Sequence, residues 1–189
     1  MNKTNLEKRI YKAQCYGNVE PIEYMTPYPN LPALVEGQNV KYKDHLLYHD
    51  LDMTNEDFFK LVQKTTHWLK ASGTKPKDRV LISGIQFPWA ECIAFAVWTI
   101  GGTLVISNQD DYQTAKSLSK PKLTVQADIN VEKEIKAFDE QFEPEFHANL
   151  QDEALICWTN GKGIRLSHYN LLVNANGVQK KLDLFEQDT

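Results

Sequence analysis

The residues best equipped for chemistry in this chain gather in one short stretch, Thr159-Asn160-Gly161-Lys162-Gly163. A strand-like run, DEALICWT, leads into it, and a run that opens a helix, LSHYNLL, follows soon after. Glycines that let backbone N–H groups approach an anion, with a lysine beside them, are the ingredients of a phosphate cradle. The same residues also read as a hairpin. Asn-Gly between two apolar runs is the strongest short hairpin signal, because both residues tolerate the positive φ of a type I′ turn. A two-residue turn at Asn160-Gly161 sets Thr159 against Lys162, Cys157 against Ile164 and Leu155 against Leu166, with Ile156 across from Arg165. Apolar residues then face apolar residues along most of the ladder. Such a turn spends its donors on closing itself, and Lys162 alone on an exposed turn offers only a salt-screened contact.

No other residue set competes with this stretch. Ser167 precedes a helix and reads as its N-cap rather than as a nucleophile, since no positioned base and acid accompany it. His45, His49 and His147 stand at no metal-ligand spacing, and His67 lies on a helix beside its apolar stripe, where a structural role is expected. The carboxylates of NVEKEIKAFDEQFEPEFHANLQDE, from Asn130, are solvated and one-sided; they read as a surface helix followed by an acidic loop. No catalytic residue and no metal ligand are therefore expected. Trp68 and Trp98 have core periodicity, whereas Trp158, next to the turn, is expected to be half exposed.

The elements that must position this stretch are legible. In TNEDFFKLVQKTTHWLKASG, Thr54 and Asp57 form a variant capping box, Phe58, Leu61, Val62, Thr65, Trp68 and Leu69 share one face, and Gly73 sits at the C-terminal cap. DRVLISGI is apolar throughout, the pattern of a strand buried on both faces. PWAECIAFAVWTIGG and TLVISN complete a strand-helix-strand unit of the kind that crosses over right-handed between parallel strands. LPALVEGQNVKYKD reads as a helix capped by Asn30, HLLYHDL as a short strand, QDDYQTAKSLSK as a helix and KLTVQA as a strand. The expected fold is α/β, a partly parallel sheet flanked by helices, with residues 1–30 as a lead-in and 31–189 as the domain.

Composition excludes several classes of function. The 189 residues carry 25 acidic and 21 basic side chains, a net charge of −4, which is no footprint for nucleic acid. Lys75, Lys77 and Arg79 read as a solvated basic loop. Cys15, Cys92 and Cys157 form no paired framework, as expected in a reducing compartment. No signal-peptide pattern opens the chain, and its most apolar run is too short for a bilayer and is broken by Gly101-Gly102. A cytoplasmic protein without a membrane span is expected.

Taken in order, these elements resemble the N-terminal part of the adenylate-forming superfamily: acyl-CoA synthetases, adenylation domains of peptide synthetases, and luciferases. Gly73 to Val80 matches the pattern G-x-x-x-x-D-R-V, Trp98 to Gly102 matches W-x-x-G-G, and LSHYNLL follows at the fitting place. The resemblance covers roughly residues 30 to 184 and implies the first portion of a larger catalytic domain. Its members activate a carboxylate with ATP and pass the acyl adenylate to a thiol such as coenzyme A. Their phosphate loop reads Tyr-Thr-Ser-Gly-Thr-Thr-Gly-x-Pro-Lys-Gly. Here Trp158-Thr159-Asn160-Gly161 matches its start and Lys162-Gly163 its end, while the Thr-Thr-Gly-x-Pro segment between them is missing. The family residues for adenine, ribose, Mg²⁺ and the catalytic lysine lie beyond Thr189 and are carried over to no position. The expectation is a non-catalytic binding or interaction module with no cofactor, its partner a full-length adenylating enzyme or a copy of itself. The alternative is an AMP-forming acid–thiol ligase that uses ATP and Mg²⁺ and needs a second chain, or a degenerate fragment of one. In that case Thr159, Asn160, Gly161, Lys162 and Gly163 are the remnant of its nucleotide site.

Overall fold

The computed structural model describes residues 28–182; most of the 1–30 lead-in, with Cys15, and residues 183–189 lie outside the described residues. Helix α1 (Leu31–Tyr42) starts where the Asn30 carboxamide oxygen accepts from Ala33 N at 3.0 Å, and the same side chain donates to Ala148 O at 2.9 Å. Strand β1 (Leu46–Tyr48) pairs antiparallel with β2 (Met53–Thr54). The predicted strand is shorter than HLLYHDL because His49–Leu51 wind into one 3₁₀ turn ended by Asp52 at φ 50. Helix α2 (Asn55–Ala71) carries the full capping box: Asp57 N donates to the Thr54 hydroxyl at 3.1 Å, and Thr54 N to the Asp57 carboxylate at 3.1 Å.

The main sheet has the order β5-β3-β4-β6-β7. Its strands are β3 (Arg79–Ser83), β4 (Thr103–Ser107), β5 (Leu123–Gln126), β6 (Glu153–Thr159) and β7 (Lys162–Ser167). The first four run parallel and β7 returns antiparallel. Helix α3 (Trp89–Ile100) makes the β3-to-β4 crossover, α4 (Tyr112–Ser119) follows β4, and α6 (His168–Leu182) follows β7. Helices α2 and α3 cover one face, where Leu69, Val80, Ile93, Val97 and Leu104 are fully buried. On the other face α4 covers Leu81, Val105, Ile156 and Trp158.

The predicted surface helix after Asn130 shrinks to α5 (Val131–Ile135), which buries Val131 and Ile135. Beyond it, Pro144 removes a helical donor, and the chain crosses the C-terminal ends of α2 and α3 as a strap. Phe142 N donates to the Gln63 carboxamide at 3.1 Å, His67 Nε2 lies 2.7 Å from Gln141 O, and Lys70 pairs with Glu145 at 2.6 Å. The strap explains His67: it is half-buried and packed edge-on against Phe142, a structural histidine as expected. Among the described residues no helix is long and apolar enough to cross a membrane.

Candidate functional site

The hairpin register is the one the sequence predicts. Thr159 pairs with Lys162, Trp158 with Gly163, Cys157 with Ile164, Ile156 with Arg165 and Leu155 with Leu166. Asn160 and Gly161 close the turn with φ 50 and 71, the two positive angles that a type I′ turn requires. Thr159, Asn160, Gly161, Lys162 and Gly163 are all exposed and all lie on this turn.

What they face was not legible. The N–H of Gly161 donates to the Asp111 carboxylate at 2.8 Å. Asp111 is 8% exposed, and its own N–H is held by the Asn108 side chain at 2.8 Å. The turn donor that points inward therefore already binds an anion, and that anion belongs to the protein. Trp158 corrects the expectation of half exposure: it is 8% exposed, and its indole N–H donates to the Ser119 hydroxyl at 2.9 Å. A Cβ on Gly163 would stand 2.9 Å from the Trp158 ring, so this glycine makes room for an indole. The sequence stretch DDY ahead of α4 carried the only signal for Asp111, an acid at a helix start.

Around the turn, the carboxyl end of the sheet is unevenly covered. Val125, Ile82, Ile106, Cys157 and Ile164 stand in register across all five strands and share one face. Along this row Val125 is 0% exposed, Ile82 4%, Ile106 37% and Ile164 52%. The helical layer thus ends over β4, and among the described residues β7 pairs only with β6.

At the other end of the hairpin, Ser167 caps α6 as predicted. Its hydroxyl accepts from Asn170 N at 3.2 Å, and its own N–H donates to the Asn170 side chain at 3.0 Å. His168 beside it is fully buried, a role that sequence reasoning missed. Its Nδ1 accepts from Leu31 N at 3.3 Å, and Nε2 has no partner in the described structure. Burial pushes the imidazole from its ordinary 6.5 down to about 4, against a weaker opposing pull from the Asp152 carboxylate. Among the described residues no three His, Cys, Asp or Glu side chains stand close enough to hold a metal.

This order of strands and helices is the fold of the N-terminal subdomain of adenylate-forming enzymes. The fatty acyl-adenylate ligase from L. pneumophila, solved with acyl adenylate and pyrophosphate, superposes with a TM-score of 0.71 at 20% identity, over 87% of this chain and 34% of that one. The Klebsiella oxytoca NpsA N-terminal subdomain, in complex with 3-hydroxyanthranilyl-AMSN, gives 0.66 at 16% identity over 74% and 41%. VinN with L-aspartate gives 0.70 at 14% over 83% and 49%. The chain spans less than half the length of each of these structures. No protein-family model and no curated protein matches it.

Proposed function

We propose that the chain is a non-catalytic relative of acyl-activating, adenylate-forming enzymes that works as a binding or interaction module. The observation that carries this reading is the hydrogen bond from Gly161 N to the Asp111 carboxylate. A phosphate group needs several N–H donors converging on one concavity. This turn has two residues, and its inward donor is spent on a carboxylate. A nucleotide phosphate placed there would meet like charge before it met a donor. Thr159, Asn160, Lys162 and Gly163 then serve the hairpin, and the chain uses no ATP, AMP or Mg²⁺.

The surface that supports an interaction role is the partly covered apolar row from Ile106 through Cys157 to Ile164, next to the edge of β7 that has no partner strand among the described residues. Unpaired strand edges and bare apolar rows invite a protein partner, and a full-length adenylating enzyme or a second copy of the chain fits. The second reading, an AMP-forming acid–thiol ligase completed by another chain, draws on the acyl adenylate and pyrophosphate bound in the fatty acyl-adenylate ligase of similar fold.

A thermal-shift titration with ATP, AMP and Mg²⁺ at low and high salt separates the two, run on the native chain and on Asp111→Ala. A ligand at a hundred times its dissociation constant adds about 2.7 kcal/mol of stability. The non-catalytic reading expects no saturable shift from either protein. A shift that survives high salt in the native chain overturns it in favour of the ligase. A shift gained only by Asp111→Ala keeps the native chain non-catalytic and assigns the block to the carboxylate.

A further inference from the structure

The amino end of the parallel sheet holds a second feature, independent of the hairpin and of the function proposed for it. Between the C-terminal ends of α2 and α3 and the strap lies a cavity of about 350 Å³. Its walls include Ile100, Phe142, Phe146 and Pro76, with the Lys70–Glu145 pair beside them, and Thr74 stands among them, 3% exposed, with a hydroxyl that has no hydrogen-bond partner among the described residues. The volume falls in the range of sites that enclose small molecules, roughly 300–1,000 Å³.

Charge surrounds this hollow asymmetrically. Lys75 lies at its mouth, and a polar groove lined by Lys77, Lys120 and Lys122 adjoins it. The two are joined through Lys122, whose Cε comes within 3.7 Å of where a Cβ on Gly73 would stand. All four lysines are exposed, and none forms an ion pair among the described residues. The acids nearby are already engaged: Glu145 pairs with Lys70 at 2.6 Å, and the Asp78 carboxylate accepts from Lys75 N at 2.8 Å. Arg79, at the back of the groove, is held by Glu153 at 2.9 Å. Lys77 and Lys120 adopt φ 69 and 47, where glycine would sit with less strain, so both loops keep a cation at a conformational cost. Against the single Asp78 carboxylate, which also lines the groove and pairs with no cation among the described residues, these four lysines leave a net positive local field that attracts anions.

We propose that this end of the sheet binds a small anionic amphiphile. Its apolar body, of aryl or medium alkyl size, fills the hollow between Phe142, Phe146 and Ile100. Its anionic head reaches the Lys75 and Lys122 ammonium groups at the mouth. The hollow supplies affinity through buried apolar surface, and the lysines select against neutral molecules of the same shape.

The test is a titration of the isotope-labelled full chain with octanoate, octanol and inorganic phosphate, followed by NMR. Octanoate is expected to bind saturably, with Thr74, Phe142 and Phe146 among the resonances that move. Exposed charge contacts are each worth up to about fivefold in affinity, so octanol should bind about five- to tenfold more weakly, and phosphate alone should move nothing. The exposed double variant Lys75→Glu/Lys122→Glu should lose that preference for octanoate while binding octanol as before. Equal binding of octanol and octanoate, or a double variant that keeps the preference, would overturn the anion selectivity. Absence of saturation, or shifts centred on the Asn160-Gly161 turn, would overturn the site.

Discussion

At the carboxyl end of the parallel strands the inward donor of Gly161 is taken by Asp111, whereas at the amino end Lys75 lines a hollow, Lys77, Lys120 and Lys122 line the groove beside it, and none of the four forms an ion pair among the described residues. Open α/β sheets usually bind ligands at the carboxyl ends of their strands. Here the carboxyl end carries a two-residue turn whose inward donor is occupied, and the lysines without an ion pair among the described residues stand at the opposite end. Fold likeness places a site only where the groups that would serve it remain unspent. The comparison also separates two kinds of glycine. Gly161 meets a conformational demand at φ 71, and Gly163 leaves room for the Trp158 ring.

The comparison breaks most easily at Trp158, because a closed carboxyl end requires the hairpin to be anchored. Replacing this buried indole by Ala removes its packing against Leu81, Val105 and Ile156 together with its bond to Ser119. Truncating a buried aromatic in this way costs about 3–5 kcal/mol, to be read from urea unfolding. A loss below about 1 kcal/mol would mean that the hairpin is loosely held and free to reopen as a loop.

The amino end is sharpened by pH. The imidazole of His168, held neutral by burial, has its pKa lowered to about 4, while in the unfolded chain it titrates near 6.5. Between those values the unfolded state binds the extra proton, so stability rises with pH across the window and is lost as pH falls from about 6.5 toward 4. At roughly 1.4 kcal/mol per pKa unit the contribution has a ceiling of about 3 kcal/mol. Urea midpoints measured across this range should slope for the native chain and flatten for His168→Gln. Equal slopes in the two proteins would mean that His168 is solvated and that the junction of α1 and α6 is open.

Local rules made much of this fold legible. The Asn-Gly pair dictated a turn, and the turn then fixed five residue pairs of the hairpin without appeal to anything distant. Thr54 with Asp57, and Ser167 before its helix, announced their caps for the same reason. What escaped the sequence depends on partners far along the chain. Gly161 meets Asp111 across fifty positions, and His168 meets Leu31 across 137. The strap misled in another way. Phe138, Phe142 and Phe146 stand at the four-residue spacing of a helix face, yet Pro144 prevents the helix and the rings pack as separate anchors, Phe146 directly on Gly101. The segment reads as a surface helix and an acidic loop; its helix stops at Ile135, and the three half-buried rings lie beyond it.

The smallest effect, and the finest probe of the uneven cover, is expected at Ile164. It is 52% exposed at the end of a row whose other terminus, Val125, is fully buried. Thr keeps the β-branched shape that suits a strand, so Ile164→Thr changes little except apolar area, and a substitution at such a surface position stays within about 0.5 kcal/mol. The corresponding change at Val125 would cost far more, because a hydroxyl there would be buried without a partner. If Ile164→Thr instead lowers stability by more than about 1 kcal/mol in a concentration-dependent way, the row is covered in solution by a second copy of the chain. Size-exclusion chromatography of the two proteins would then show the native chain larger than the variant. A small, concentration-independent effect means that no second copy of the chain covers this row in solution.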